Sequence, residues 1–191
     1  MLGSNIRKLD LSDQGNDLEF WMTQTPAERL IALGVLRSRY AALKNMNLQP
    51  DFKDFIALLN RHAVVYLVVG GFAVAHHGYP RFTGDIDFWL WIDPENADRT
   101  VMALREFGFA GPDISAEDFL RPNHVVQLGY PPNRIDLLTG VTGLEFDESW
   151  QTRETVEFEG QPIPFLSLSD LKLNKRLVGR KKDELDLENL P

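Results

Sequence analysis

The chain of 191 residues contains no cysteine and only four histidines. Disulfides and thiolate-bound metals are therefore excluded, and four scattered histidines argue against a zinc site. The sequence also lacks an apolar run as long as a membrane span, and its N-terminus has no apolar signal region. We therefore expect a cytoplasmic protein without a membrane partner.

The chain also has no excess of positive charge. The chain has 20 basic and 28 acidic residues, a formal net charge of −8. A surface of this charge does not bind nucleic acid as a whole, so an anionic partner would have to meet a local basic patch. With 43% hydrophobic and 25% charged residues, the chain can bury one sizeable core. We expect an N-terminal leader and helical extension over residues 1–50 and one main domain over residues 51–191.

The first fifty residues contain no clear candidate catalytic residue. Met1–Asp17 is polar and without periodicity, which predicts a poorly ordered leader or an arm that docks elsewhere. Thr25 and Pro26 form a good helix start, and apolar residues at helical spacing continue to about Leu43. We interpret this segment as a packing helix or a subunit contact that would support an oligomer. The alternative is that its arginines reach a nucleic acid.

The most informative stretch is Tyr66–Trp91. An apolar run ends at Gly70 and Gly71, a short helix is predicted over Phe72–His77, and a strand over Asp85–Ile92. Because side chains alternate along a strand, Asp85 and Asp87 point to the same face. Two carboxylates so close repel each other unless a cation lies between them, and oxygen ligands suit Mg²⁺. The alternative is an ordinary strand start with two solvated acids.

Further elements follow on both sides of this stretch. Helices are predicted over Asp51–His62 and Pro94–Phe107, and a variable surface insertion over Gly108–Asn123. Hairpin strands are predicted over His124–Leu128, Arg134–Thr139 and, as a second hairpin, Thr155–Phe165. Asp136 stands alone among apolar neighbours, which is costly unless a charged group meets it. Asp147 and Glu148 are interpreted as solvated loop residues.

A helix capped at Ser167 is predicted to end near Gly179. It opens the most basic part of an otherwise acidic chain. Such a run is usually a solvated helix face. Six basic residues lie there: Lys172, Lys175, Arg176, Arg180, Lys181 and Lys182.

Gly70-Gly71 followed by Arg81-x-Thr83-x-Asp85-x-Asp87 resembles the signature of the DNA polymerase β-like nucleotidyltransferases. It is most similar to the small prokaryotic enzymes of toxin–antitoxin and abortive-infection systems. The resemblance extends from about Asp51 to the C-terminus. It implies an α/β (α+β) nucleotidyltransferase fold, with a short mixed sheet packed by helices and an N-terminal helical extension.

The resemblance also implies roles for particular residues. Asp85, Asp87 and Asp136 would be catalytic and would hold two Mg²⁺ ions, with Mn²⁺ as a substitute. The nucleotide would be bound by Gly70, Gly71, Arg81, Thr83 and Lys175. Thr83 would act by a hydrogen bond to a carboxylate. Lys172 is the reserve for Lys175, and Asp183 and Asp186 match acids that trail the family's lysine at a longer spacing.

Two of these assignments keep a competing interpretation from the residues alone. Arg81 could form an ion pair with Asp85 instead of binding a triphosphate. The Gly70-Gly71 pair could serve only a tight turn, whereas the functional interpretation is close approach of a phosphate to the backbone. His76 and His77 match no position of the motif and are interpreted as structural or surface residues.

The implied reaction transfers a nucleoside monophosphate from an NTP to an acceptor hydroxyl and releases pyrophosphate. The acceptor would be an RNA end, a partner protein's side chain or a small molecule, and the sequence does not discriminate among them. One alternative is a non-catalytic antitoxin or interaction subunit of the same fold that binds nucleotide. Another is a glycosyltransferase with an Asp-x-Asp motif, although such enzymes normally have a longer nucleotide-binding half before it.

Overall fold

The computed structural model describes residues 6–10, 25, 50–109, 114–130 and 133–191. The strands are β1 (Ile6–Asp10), β2 (Tyr66–Val69), β3 (Asp85–Leu90), β4 (His124–Leu128), β5 (Arg134–Leu138), β6 (Glu154–Phe158) and β7 (Gln161–Phe165). The α-helices of the described residues are α1 (Pro50–Arg61), α2 (Gly70–His76), α3 (Pro94–Phe107), α4 (Phe146–Thr152), α5 (Leu168–Val178) and α6 (Lys181–Asn189). None of them has the length and apolar character needed to cross a membrane.

The strands form one seven-stranded sheet in the order β1-β4-β5-β3-β2-β7-β6. Strands β3 and β5 are parallel, as are β2 and β7, and the other neighbouring pairs are antiparallel. The predicted mixed sheet with helices packed against it is therefore confirmed. Its central pair, β3 and β5, carries the acids that the sequence singled out.

Helix α1 packs on the sheet through the apolar face that its periodicity predicted. Phe52, Phe55, Ile56 and Leu59 on this face are buried. The ring of Phe55 lies 5.5 Å from that of Phe88 on β3 and 4.9 Å from that of Phe107 at the end of α3. Burying such aromatic side chains removes a large apolar area from water, so this contact fixes both helices against the centre of the sheet.

A buried amide locks α3 to the ends of two strands. The side chain of Asn96 is almost fully buried. Its oxygen accepts from the Val65 amide at 2.7 Å, and its nitrogen donates to the carbonyls of Val65 and Trp91 at 3.0 and 2.9 Å. The oxygen and both N–H donors of this buried amide therefore have hydrogen-bond partners.

The N-terminal segment differs from the prediction. Residues Ile6–Asp10, expected to lie in a poorly ordered leader, pair antiparallel with β4 as an edge strand. Lys8 Nζ donates to the buried carboxylate of Asp118 at 2.7 Å. These five residues are therefore neither a poorly ordered leader nor an arm that docks elsewhere, but a strand of the chain's own sheet. The helix predicted over Thr25–Leu43, with its subunit contact, lies outside the described residues apart from Thr25.

Two segments predicted to be surface loops are more ordered. Within Gly108–Asn123, a 3₁₀ helix forms over Ala116–Phe119, and Ile114 and Phe119 are buried. Asp147 and Glu148 lie in the first turn of α4 rather than in a loop. Negative charge is favourable there, next to the unpaired amides of a helix start.

The basic segment forms two helices. The Ser167 side chain caps α5 by accepting from the Asp170 amide, and Gly179 ends it with a φ of 66°. The predicted start and end of this helix are confirmed. The sequence interpretation did not include α6, which folds back so that its acids Asp183 and Asp186 meet Lys175 of α5. The last part of the chain is therefore a helical hairpin beside the sheet.

Candidate active site

Three carboxylates converge at one end of the central strands. Asp87 on β3 and Asp136 on β5 are direct partners in the parallel register, and Asp85 lies two residues before Asp87 on the same face. One oxygen from each of the three carboxylates can be chosen so that all lie within 4.8 Å of one another. Such a group of oxygens is suited to a hard divalent cation.

Gly70 and Gly71 leave room for side chains of this site. A Cβ on Gly70 would lie 1.9 Å from Asp87 Oδ2, and one on Gly71 would lie 2.6 Å from Thr83 Oγ1. Gly70 also has a φ of +62°, which residues with a Cβ adopt at a cost. The glycines therefore do more than form a tight turn, since they allow α2 to begin directly against Asp87 and Thr83.

Arg134, the first residue of β5, was not singled out as a site residue. Its Nη2 donates to Asp85 Oδ2 at 2.6 Å and to Asp136 Oδ2 at 3.0 Å, and its Nε donates to Asp136 Oδ1 at 2.7 Å. Gln127 on β4 adds a hydrogen bond to Asp136 at 3.1 Å. The charged group that the buried Asp136 requires is thus Arg134 on its own strand.

Thr83 donates to Asp85 Oδ1 at 2.5 Å, which is the hydrogen bond expected of it. Since Arg134 holds the other oxygen of the same carboxylate, both oxygens of Asp85 have a partner. These two contacts fix the direction in which Asp85 faces the pocket.

Asp87 and Asp136 hold their protons more tightly than ordinary carboxyls. Burial, together with the negative charges of Asp85 and Asp136, raises the pKa of Asp87 to about 8. Burial also raises the pKa of Asp136 to about 6, although the contact with Arg134 opposes the rise. A cation among these oxygens would relieve both effects, because it replaces repulsion with attraction.

A second cluster of charges lies on the other side of the pocket. Arg81 forms two hydrogen bonds with Asp186, and Lys175 Nζ lies 2.7 Å from Asp183 Oδ1 and 2.9 Å from Asp186 Oδ2. Arg180 also donates to Asp183, at 2.7 Å. The alternative interpretation paired Arg81 with Asp85, but its ion-pair partner is Asp186.

Both acids of this cluster are fully buried. Burial acts to raise the pKa of Asp183 and of Asp186, but hydrogen bonds from the neighbouring cations outweigh it and lower both pKa values. Three cations surround two carboxylates, so the cluster retains a net positive charge. Asp183 and Asp186 accordingly hold Lys175 and Arg81 in place beside the pocket.

The pocket between the two clusters has a volume of about 760 Å³, within the usual range for small-molecule sites. The predicted residues Gly70, Gly71, Arg81, Thr83, Asp85, Asp87, Asp136 and Lys175 all line it. Lys172, the reserve for Lys175, is not among the lining residues and donates instead to the Pro191 carbonyl.

Sequence reasoning missed several further lining residues: Gln127, Arg134, Asn174, Arg180 and Lys182. Arg134 precedes Asp136 by two residues, so strand alternation was the signal that could have found it. Lys182 lies beyond the predicted end of the Lys175 helix, but its charge is close enough to lower the pKa of Asp87. The reason is the turn at Gly179, which brings α6 back toward the sheet.

Comparison with solved structures gives several similar folds. A Thermotoga maritima protein classed as a nucleotidyltransferase is 20% identical, with 72% of this chain and 88% of that chain covered and a TM-score of 0.50. An antigenic nucleotidyltransferase-like protein from Paracoccidioides brasiliensis is 19% identical, covering 73% of this chain and 72% of that one, with a TM-score of 0.46. The lincosamide antibiotic adenylyltransferase LnuA, bound to lincomycin, is 15% identical, covering 74% and 95%, with a TM-score of 0.49.

Neither a protein-family model nor a curated protein matches the sequence. The similarity is thus one of three-dimensional structure. On this structural similarity, the chain has the nucleotidyltransferase fold.

Proposed function

We propose that this protein transfers a nucleoside monophosphate from an NTP to an acceptor hydroxyl in a reaction that requires Mg²⁺. The observation that carries the proposal is the convergence of Asp85, Asp87 and Asp136 on adjacent parallel strands at a pocket that cations, among them Arg81 and Lys175, also line. Carboxylates suit the metal, and the cations suit a triphosphate. Arg81 and Lys175 are thus proposed to bind phosphate oxygens.

The donor set fits divalent metal ions, since Asp85, Asp87 and Asp136 are crowded together and the pKa values of Asp87 and Asp136 are raised. Asp85 and Asp87 would hold the nucleotide-side ion, and all three acids the second. When bound, the ions lower the pKa of an attacking hydroxyl and stabilise the entering and leaving oxygens. The acceptor oxygen forms a bond to the α-phosphorus, the bond to the pyrophosphate breaks, and the hydroxyl proton is lost to water.

The chain's own residues would supply positioning and charge stabilisation, on which phosphoryl-type transfers depend. Arg81 and Lys175 are held by buried carboxylates and therefore need little rearrangement to meet an anion. Thr83 orients Asp85 by its 2.5 Å hydrogen bond. Asp183 and Asp186 contribute indirectly, by fixing the two cations.

The proposal is tested by incubating the protein with NTPs labelled at the α-phosphate, Mg²⁺, and total cell RNA, total protein or a small-molecule fraction. We expect label in one of these pools and none when Asp85→Asn or Asp87→Asn replaces the wild type. Retained labelling in both variants would overturn the metal assignment. The labelled pool identifies the acceptor, and a neighbouring gene for a small toxin would support the proposed toxin–antitoxin role.

One observation favours a non-catalytic nucleotide-binding subunit as the second candidate. Arg134 bridges Asp85 and Asp136, so it already provides positive charge where an ion would otherwise be needed. If this contact persists in solution, NTP binding should be independent of Mg²⁺, and no pool should become labelled. Calorimetric titration of NTP with and without Mg²⁺ separates the two functions.

A further inference from the structure

Away from the pocket, two adjacent histidines face one glutamate. His76 and His77 lie at the C-terminal end of α2, and Glu154 is the first residue of the edge strand β6. His76 Nε2 lies 3.3 Å from Glu154 Oε2, and His77 Nδ1 lies 3.8 Å from Glu154 Oε1. One ligand atom from each of the three residues can be chosen so that all lie within 4.8 Å of one another.

The hydrogen bonding of His77 determines which of its nitrogens is available. Its Nε2 lies 2.8 Å from the Leu166 carbonyl, and a carbonyl can only accept, so Nε2 carries the proton. In the neutral ring, Nδ1 then presents a lone pair to a carboxylate that is itself an acceptor. A backbone carbonyl that fixes the tautomer of an imidazole in this way is a common partner of metal-binding histidines.

The ring of His76 is also held in place. It stacks on Phe165 with a centroid distance of 4.3 Å and an angle of 15° between the planes.

The distances suit a common ion. Ligands about 2.0–2.1 Å from a tetrahedral Zn²⁺ lie roughly 3.3 Å from one another. The two histidine–glutamate separations, each to a different oxygen of the Glu154 carboxylate, are 3.3 and 3.8 Å. The Glu154 side chain is 50% exposed, whereas those of His76 and His77 are 14% and 5% exposed. A small movement of the exposed Glu154 carboxylate is thus enough to bring all three ligands to one ion. The fourth coordination position would face solvent and could hold a water molecule.

We propose that His76, His77 and Glu154 form a second metal site, which binds a borderline transition-metal ion of the Zn²⁺ class. Imidazole nitrogens favour such ions, whereas the all-oxygen set at the pocket favours Mg²⁺. The bound ion ties β6 to α2, the helix that begins at Gly70 and Gly71. The site does not depend on nucleotidyl transfer, so either proposal can fail without the other.

The test uses full-length, tag-free protein, because a histidine tag would bind the same ions. Zn²⁺ is titrated while the ring nitrogens of the four histidines are followed by NMR. We expect shifts at His77 Nδ1 and His76 Nε2, and none at His62 or His124. A parallel titration with Co²⁺ should produce visible absorption bands of a nitrogen-ligated ion.

Variants give a quantitative comparison. Glu154→Gln alters an exposed residue, and His76→Phe keeps a ring to stack on Phe165, so neither should disturb the fold. Each should weaken Zn²⁺ binding by more than about tenfold, since each removes one ligand of three. His62→Ala is the matched control: His62 pairs with Glu106 at 2.8 Å, but neither belongs to a group of three potential ligands among the described residues.

Three outcomes would overturn the proposal. Zn²⁺ affinity unchanged in Glu154→Gln and His76→Phe would show that these residues do not bind the ion. Loss of the Zn²⁺ signal only in Asp87→Asn would place the ion at the pocket. Equal weakening by His62→Ala and His76→Phe would indicate only adventitious binding by surface histidines.

Discussion

Arg81, in the segment before β3, forms a two-bond ion pair with Asp186 of α6, with Nε–Oδ1 and Nη2–Oδ2 distances of 2.5 and 2.8 Å. The two residues are 105 positions apart in the sequence. The planar guanidinium matches the carboxylate with two parallel bonds, a geometry that an ammonium group cannot reproduce. The pair therefore fixes α6 to the segment that precedes Asp85 and Asp87.

Asp186→Ala should destabilise the fold strongly, because it leaves Lys175 buried and Arg81 partly buried without their shared acceptor. Removing one partner of a buried ion pair typically costs about 3–5 kcal/mol of unfolding free energy. Urea denaturation measures the effect. Glu184→Ala, an exposed position on the same helix, is the control, and similar losses in the two variants would contradict the structural role of Asp186.

The two lysines at the start of α6 should differ in their effect on nucleotide. Lys182 lines the pocket and Lys181 does not, although both are exposed. We expect Lys182→Ala to weaken NTP binding by up to about 1 kcal/mol, as for a solvent-screened charge. Lys181→Ala should leave NTP affinity unchanged. Calorimetric titration of both variants checks this, and equal affinities would remove Lys182 from the phosphate site.

Lys175→Ala should weaken NTP binding more, by about 1.5–3 kcal/mol, if the buried ammonium contacts the triphosphate directly. The substitution also removes a partner of both Asp183 and Asp186, so binding is compared only at temperatures where the variant is folded. Lys172→Ala serves as the control, since Lys172 is not among the lining residues of the pocket. An unchanged NTP affinity in folded Lys175→Ala would leave Arg81 as the phosphate-binding residue.

Gly70→Ala should impair the site beyond the cost of a strained backbone. The added Cβ would clash with the Asp87 carboxylate at 1.9 Å. Gly160→Ala is the matched control, because Gly160 has a similar positive φ of 77° but no atom within 4 Å of the added Cβ. Both variants should lose about 1 kcal/mol of stability from the backbone. Only Gly70→Ala should lose activity and metal affinity, which enzyme assays and Mg²⁺ titration measure.

The stability of the metal-free protein should fall as the pH rises from about 5 to 8. In this range the folded protein retains a proton on Asp87, whose pKa is raised from 3.8 to about 8, whereas the unfolded chain does not. The unfolded state thus binds fewer protons, and linkage makes unfolding easier with rising pH until the folded-state pKa is passed. Asp136, with a pKa raised to about 6, lowers the stability in the same way at the lower end of this pH range.

Melting temperatures measured over this pH range test the linkage. Asp87→Asn should reduce the slope, and saturating Mg²⁺ should raise the melting temperature most at the alkaline end, where no proton has to be displaced. Asp183 and Asp186 do not confuse the result, because their lowered pKa values place their titration at more acidic pH. A flat profile for the wild type would contradict the raised pKa of Asp87.

Local patterns in the sequence were sufficient for most elements and for the three acids. Strand alternation placed Asp85 and Asp87 on one face, and the apolar neighbours of Asp136 indicated an interior strand. The same rules could not show that Arg81 meets Asp186, or that Arg134 bridges two of the acids. Those contacts depend on the strand order and on the return of α6 after Gly179, which no short segment encodes.

The N-terminal strand β1 is a second feature that local sequence patterns did not predict. Residues Ile6–Asp10 lack a strong strand pattern, and they pair with β4 more than a hundred positions later. A polar edge strand is stabilised by its neighbour's backbone rather than by its own side-chain periodicity. The boundary between an N-terminal extension and the main domain therefore stays a prediction.

The 105-residue separation of Arg81 and Asp186 also bears on the order of folding. Contacts between distant residues form only after the intervening chain has lost much of its freedom, and such contacts slow folding. The local β6–β7 hairpin and the α5–α6 pair can form early, whereas the link between α6 and Arg81 must wait for the sheet. We therefore expect the side of the pocket formed by Arg81 and α6 to be among the last parts to assemble during refolding.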